Sequence, residues 1–353
     1  MAGVYLSYPF CAQKCTYCNF ASGVFPREME PRYATKLAEE IAKTQWDWAP
    51  ETVYWGGGTP SLMDLDAFAA VMRAVPGRPW REATLEIAPG TVTREKASAW
   101  SVAGIDRASL GVQSFVEPEI RATGRKHTRE TVVHDVAALR EAGIAKISID
   151  LIAGLAGQTL VSWRESLDAL LALKVGHASI YMLEVDEDSR LGRELTLGGV
   201  RYGAARVPTD EAIAEMYETA VETLAGAGFA RYEISNFARP GEASLHNLKY
   251  WKREPYFGFG ADAHSFDGAT RWANTDSVAD YLDLADPVVE RYPAEDDEKL
   301  FLGLRLDEGL EASAVPPTRA EKAGLLERRE GRVKLTPRGV LLSNEVFAEL
   351  LAS

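Results

Sequence analysis

The chain has 353 residues, 46% of them hydrophobic and 26% charged, and a formal charge of −13 at pH 7. This balance predicts a soluble globular protein with a substantial core, one large domain and one small one. No apolar run approaches the ~20 residues of a membrane span, and the acidic surplus argues against a broad nucleic-acid surface.

Residues 1–10 lack basic side chains and run directly into a strand at 4–7, which is not a signal-peptide pattern. Cys11, Cys15 and Cys18, the only cysteines, follow at once. Iron–sulfur cubanes are held by thiolates, normally four. Three at this spacing leave one iron open to a cosubstrate. A zinc site would need a distant histidine as fourth ligand, and a disulfide is disfavoured by the odd count. An oxygen-sensitive cluster on reduced thiols predicts a cytoplasmic setting.

Beyond the loop, strand-like and amphipathic helical stretches alternate. Helical spacing over 31–43 precedes a short strand at 52–55 that stops at Gly56-Gly57-Gly58-Thr59-Pro60. A helix is expected over 64–74, with further strands at 84–88, 107–113, 146–152 and 178–185. Helices over 94–103, 129–142 and 160–173 separate them, and another covers 210–226. About six such units imply parallel strands with right-handed crossovers, fewer than the eight of a closed barrel. The expected fold is therefore α/β, an open (βα)6 partial TIM-type barrel over 1–228. Residues 229–290 read as an irregular aromatic-rich segment. A module over 291–353 follows, with helix at 322–329, hairpin arm at 331–336 and helix at 338–350, which suggests a small winged-helix-like unit.

The glycine run exposes backbone polar groups at a strand end. Glu86 and Gln113 end strands, and Asp150 sits among apolar strand residues, where a carboxylate is costly unless paired or facing a polar cavity. We expect all three to face the barrel mouth.

The cysteine loop, with Tyr17 before its third cysteine, resembles that of the radical S-adenosylmethionine (SAM) superfamily. Segments 5–11, 55–61, 111–115, 124–127 and 150–158 are similar to the oxygen-independent coproporphyrinogen oxidase group. The resemblance implies a [4Fe-4S] cluster on Cys11, Cys15 and Cys18, with SAM on the open iron. It implies SAM contacts from Tyr5, Tyr17, Gly57, Gly58, Thr59 and Glu86, with Gln113, Arg125 and Asp150 farther into the cavity. The first strand carries Ser7-Tyr8-Pro9-Phe10 where the group usually has His-Ile-Pro, which leaves the cluster ligands intact.

Two features separate the chain from the oxidase. Phe20 stands where that enzyme has a fourth cysteine, and only ten residues precede Cys11. Both match the HemW-type haem chaperones, as does His246-Asn247-Leu248-Lys249-Tyr250-Trp251 against His-Asn-x-x-Tyr-Trp. That likeness implies haem bound through His246, oriented by Asn247 and stacked by Tyr250 and Trp251. A polar loop anchored by buried aromatics is the structural alternative. His127, His134, His177 and His264 have weaker claims. The expected partners are haem and a haem-accepting protein, including a membrane-associated respiratory acceptor met transiently, and no nucleic acid. Rival readings are coproporphyrinogen III decarboxylation in porphyrin biosynthesis and a radical SAM methyltransferase.

Overall fold

Alternation along the first six strands sets the architecture. A computed structural model describes residues 2–351. It places parallel strands β1 (Ala2–Tyr8), β2 (Pro50–Gly57), β3 (Glu82–Ile87), β4 (Arg107–Gln113), β5 (Lys146–Ala153) and β6 (His177–Met182) side by side in chain order. Successive strand residues point to opposite faces. Val4 and Leu6, Val53 and Trp55, Leu85 and Ile87, Leu110 and Val112, and Ile147 and Ile149 form one buried apolar layer. Helices α1 (Met29–Lys43), α2 (Leu65–Ala74), α3 (Arg94–Val102), α4 (Glu117–Ala122), α5 (Arg129–Glu141) and α6 (Leu160–Ala172) fill the intervening crossovers. Their Leu37, Phe68, Trp100, Leu139 and Trp163 join that layer. The other strand face is polar: Tyr5, Tyr54, Glu86, Ser109, Asp150 and Tyr181 belong to it. Neighbouring strands align Tyr5 with Tyr54, Glu86 with Ser109, and Ile152 with Tyr181.

The parallel core is part of a 12-stranded mixed sheet. After α7 (Arg190–Thr196) and α8 (Asp210–Gly226), strands β7 (Ala230–Arg231) and β8 (Asn236–Ala238) extend the β6 edge antiparallel. Helix α9 (Leu245–Trp251) precedes β9 (Tyr256–Phe259), which pairs parallel with β1. Strands β10 (His264–Phe266) and β11 (Thr270–Asn274), helix α10 (Val278–Asp283) and β12 (Val288–Pro293) complete that side. The segment 229–290 is therefore not irregular, since it holds β7 to β11 with α9 and α10. These strands run for only 2–5 residues, too short for alternation to stand out from an aromatic background.

The last segment holds α11 (Glu298–Leu304), β13 (Leu310–Glu311), α12 (Arg319–Lys322), β14 (Leu326–Arg329), β15 (Arg332–Leu335), α13 (Pro337–Leu341) and α14 (Ser343–Leu351). Its three strands form a separate sheet in the order β13-β15-β14. The helix expected over 322–329 is corrected. Gly324, at φ +73°, turns the chain out of α12, and Leu326–Arg329 pairs with β15. The closing helix is likewise two, interrupted at Leu342 (φ −114°, ψ 30°).

Candidate functional site

The carboxyl ends of the strands carry the cysteine loop. Cys11 N–H donates to Gly23 O at 2.8 Å and Gly23 N–H to Pro9 O at 2.9 Å, closing the loop at its root. Thr16 N–H reaches Thr123 O at 3.2 Å, and Leu191 N–H reaches Thr16 O at 2.8 Å, so the tip is tied to α4 and α7. All three thiols are half-buried. Burial pushes the Cys11 thiol up, Thr59 and Ser22 pull it back by hydrogen bonding, and Cys18 and Cys15 lie close enough to raise it again. Arg125 Nε donates to Cys15 Sγ at 3.4 Å, while its Nη1 donates to Gly111 O. The guanidinium thus ties the thiol of Cys15 to the end of β4.

The glycine run is pressed against this loop. Gly58 N–H donates to Tyr8 O at 2.7 Å and Thr59 N–H to Phe10 O at 2.9 Å. A Cβ on Gly58 would lie 2.8 Å from Phe10 O and 2.9 Å from Cys11 Sγ. Among the described residues no three His, Cys, Asp or Glu side chains converge as around a single metal ion. The cysteines instead give a thiol-only donor set of three, which suits a cubane that spreads its ligands over separate irons.

Below the loop, Tyr54 OH donates to Glu86 Oε1 at 2.9 Å, and Gly57 N–H reaches the same carboxyl. Burial pushes Glu86 up to about 7, with Tyr54 opposing that rise and the Asp150 charge adding to it. Asp150 is raised by burial despite accepting from Ser109 Oγ at 2.9 Å and Ser148 Oγ at 3.1 Å. Tyr5 stacks on Tyr54, ring centroids 6.2 Å apart. Gln113 ends β4 in a left-handed conformation, φ +69°, and its amide approaches Gly111 beside Arg125. Tyr17 is half-buried next to Arg125 and Cys15, its phenol raised by desolvation and restrained by the guanidinium. Tyr5, Tyr17, Gly57, Gly58, Thr59, Glu86, Gln113, Arg125 and Asp150 thus gather at or below one mouth. The hydroxyls of Tyr54, Ser109 and Ser148 escaped sequence reasoning. Ser148 sits two residues before Asp150 on β5, a period-2 polar signal that was there to be read.

The His-Asn-x-x-Tyr-Trp segment lies at the opposite end. His246 is 0% exposed. One ring nitrogen pairs with Thr52 Oγ1 at 2.8 Å and the other with Tyr250 OH at 2.8 Å. Its ring stacks on Tyr54 at 5.2 Å, and a Cβ on Gly3 would come within 3.0 Å of it. Thr52 and Gly3 lie near the amino ends of β2 and β1, so the imidazole sits beneath that end of the parallel strands. Burial, then Lys249, lowers it to about 3. Ser244 Oγ and His246 N–H both donate to Glu82 Oε1, at 3.2 and 3.1 Å. Asn247 bonds Ser244 through its backbone, and Arg305, just past α11, covers the Trp251 ring at 4.3 Å. In this conformation neither His246 nitrogen is free for iron. His127 and His177 are also hydrogen-bonded inside, to Val112 O and to Ser148 and Tyr232.

Comparison with known proteins places this geometry. The sequence profile of the Radical SAM superfamily matches residues 5–170. The Heme chaperone HemW of Bacillus subtilis is 34% identical, with 99% of each chain covered. That of Mycobacterium tuberculosis is also 34% identical, covering 99% of this chain and 94% of its own. The solved coproporphyrinogen III oxidase HemN from Escherichia coli superposes with a TM-score of 0.80 at 19% identity, over 99% of this chain and 89% of that one. At that identity the superposition speaks for the fold alone.

Proposed function

The chain belongs to the HemW family of radical SAM proteins, and from that membership we propose that it is a haem chaperone, binding haem and passing it to an acceptor haem protein. The observation that carries this reading is the similarity at both full lengths to proteins named as haem chaperones. A Phe at position 20, 64% exposed, in place of a fourth cysteine agrees with it.

Membership in the radical SAM superfamily brings a [4Fe-4S] cluster and SAM. Cys11, Cys15 and Cys18 would hold the cluster, which when bound supplies a single electron to the sulfonium of SAM. The protein's own contribution is positional. Arg125 orients the sulfur of Cys15 by a hydrogen bond, and Gly58 leaves the space that a side chain would take from Cys11. Glu86 and Asp150 offer acceptors to a cationic ligand, and Tyr5 and Tyr17 offer aromatic surface. A sulfonium and an ammonium group would draw the Glu86 carboxyl into its ionised form. SAM exchanges at this open mouth, and the cluster's part in haem delivery is regulatory or structural.

Haem ligation by His246 requires α9 to leave the base, breaking the Thr52 and Tyr250 hydrogen bonds. We read the resting role of His246 as a pin between β1, β2 and α9. The C-terminal sheet and helices, residues 298–351, we take as a winged-helix-like module. The cytoplasm is the compartment that suits three reduced thiols.

The test is an anaerobic haem titration of cluster-reconstituted protein, followed by mixing with an apo haem protein. Saturable binding and transfer are expected. No binding, together with conversion of coproporphyrinogen III, would replace the carrier by the oxidase.

A further inference from the structure

The carrier reading leaves open where haem sits while the barrel base is closed. Outside the cysteine loop lies a cavity of about 570 Å³, between that loop, the end of α4, and the turn at Arg201–Arg206. Its walls carry Lys14, Arg121, Arg190 and Arg206 and no carboxylate. In a chain of charge −13 such a gathering is uncommon. Arg121 is paired with Glu117. Among the described residues Lys14, Arg190 and Arg206 have no carboxylate within 4.0 Å, and Lys14 and Arg190 donate only to backbone carbonyls. Like charges left facing one space repel unless an anion joins them.

The wall is also strained in a specific way. Tyr202 and Gly203 are both left-handed, at φ 57° and 77°. For a bulky residue that backbone is an outlier, kept only where surroundings impose it, and such places cluster at ligand clamps. Two contacts impose it here. A Cβ on Gly203 would meet Ala156 Cβ at 2.8 Å, and Gly157 N–H donates to Arg206 O at 2.7 Å. The turn holds Tyr202 and Arg206 against the cavity, with the Arg190 guanidinium 5.3 Å from the Tyr202 ring centroid. Val24, 65% exposed, adds apolar surface opposite.

Resting on the haem-chaperone reading, we propose that this cavity is the haem docking site, with Arg190 and Arg206 taking the two propionates and Tyr202 and Val24 flanking the macrocycle. Haem is a flat apolar ring bearing two carboxylates at one edge. Arginine forks match carboxylates in paired hydrogen bonds, and cavities of ~300–1,000 Å³ bury ligands of this size. Haem enters here without disturbing His246, and it lies beside the cluster loop rather than at the barrel base.

The test is a haem titration of the full chain, wild type beside R190Q/R206Q, R190K/R206K and H246A, repeated on wild type with haem dimethyl ester. Loss of both guanidinium groups, or esterification of both propionates, should weaken binding by about 10-fold or more, the scale of charge-assisted hydrogen bonds. The lysine pair should recover part of that loss, and His246→Ala should bind as wild type does. Equal affinity of wild type and R190Q/R206Q for haem overturns the docking site and leaves the carrier reading intact. Absence of haem binding to wild type overturns both. If R190Q/R206Q fails to fold, the ester decides, because undiminished ester binding also overturns the site.

Discussion

The two ends of the parallel strands are built from the same sheet and use polar residues in opposite ways. At the base, Thr52, His246, Tyr250, Ser244 and Glu82 spend their hydrogen bonds on one another, and the imidazole is neutral and sealed. At the mouth, Glu86 stands near neutrality, three thiols are half-buried, and the glycine run lies against the cysteine loop. A polar residue inside a barrel is no sign of chemistry until its partners are known. Those of His246 are used up by structure, whereas those of Cys11 and Glu86 leave capacity for a ligand.

Breaking the mouth should cost function and leave the fold standing. Replacing Cys11, Cys15 or Cys18 by Ala should abolish cluster incorporation after anaerobic reconstitution, read as iron and sulfide content, with an unchanged denaturation curve. Retention of a full cluster by any one of them would contradict the three-thiol assignment.

Breaking the base should do the reverse. His246→Ala leaves a cavity and strips Thr52 and Tyr250 of their partner, a loss of about 2–4 kcal/mol by chemical denaturation. Iron content should stay at the wild-type level. The imidazole's depressed pKa adds a signature. Its stabilisation is complete above pH 6.5 and is lost as pH falls from there towards 3. The variant should therefore show a flatter acid limb.

A smaller effect sharpens the contrast through Glu86. Its carboxyl is held up to about 7, so in SAM-free protein it favours the protonated form. Stability from this group is greatest below the ordinary carboxylate range and declines as pH rises from there through 7. SAM, a cation, should bind more weakly as pH falls below about 7, by at most tenfold per unit. Glu86→Gln should flatten that dependence in isothermal titration and raise stability at pH 8. A pH-independent SAM affinity in wild type would remove Glu86 from the site. Smallest of all, Tyr54→Phe deletes one hydrogen bond to Glu86 and should cost about 1 kcal/mol, shifting the SAM profile to higher pH.

Legibility followed the same divide. The apolar runs of β1 to β6 announce strands covered by helices, and their bounds lie within two or three residues of those expected, as strand ends usually do. Cysteine spacing and the glycine run need no tertiary information to suggest a cluster loop and a tight turn. The inward company of Asp150 was half concealed: Ser148 shares β5 with it, whereas Ser109 lies on β4 and is brought alongside only by register. His246 misled for a related reason. Ser244 before it caps α9, accepting from Asn247 N–H at 3.3 Å, and that local signal fixes a helix start without saying that the helix lies beneath the barrel. Among the short strands, β8 and β9 are held by the longer β6 and β1 and in turn seat β7 and β10, so their own residues carry little of the pattern.

One topological fact bears on how the protein is made. Strand β1 lies between β2 and β9, and β9 spans Tyr256–Phe259. Strand β1 therefore leaves the ribosome long before it can be flanked on both sides. Its cysteine loop emerges early and must wait for some 240 further residues to be translated before the sheet around its root is complete. During that interval the loop's three thiols stand on a scaffold whose β1 has a partner on one side only.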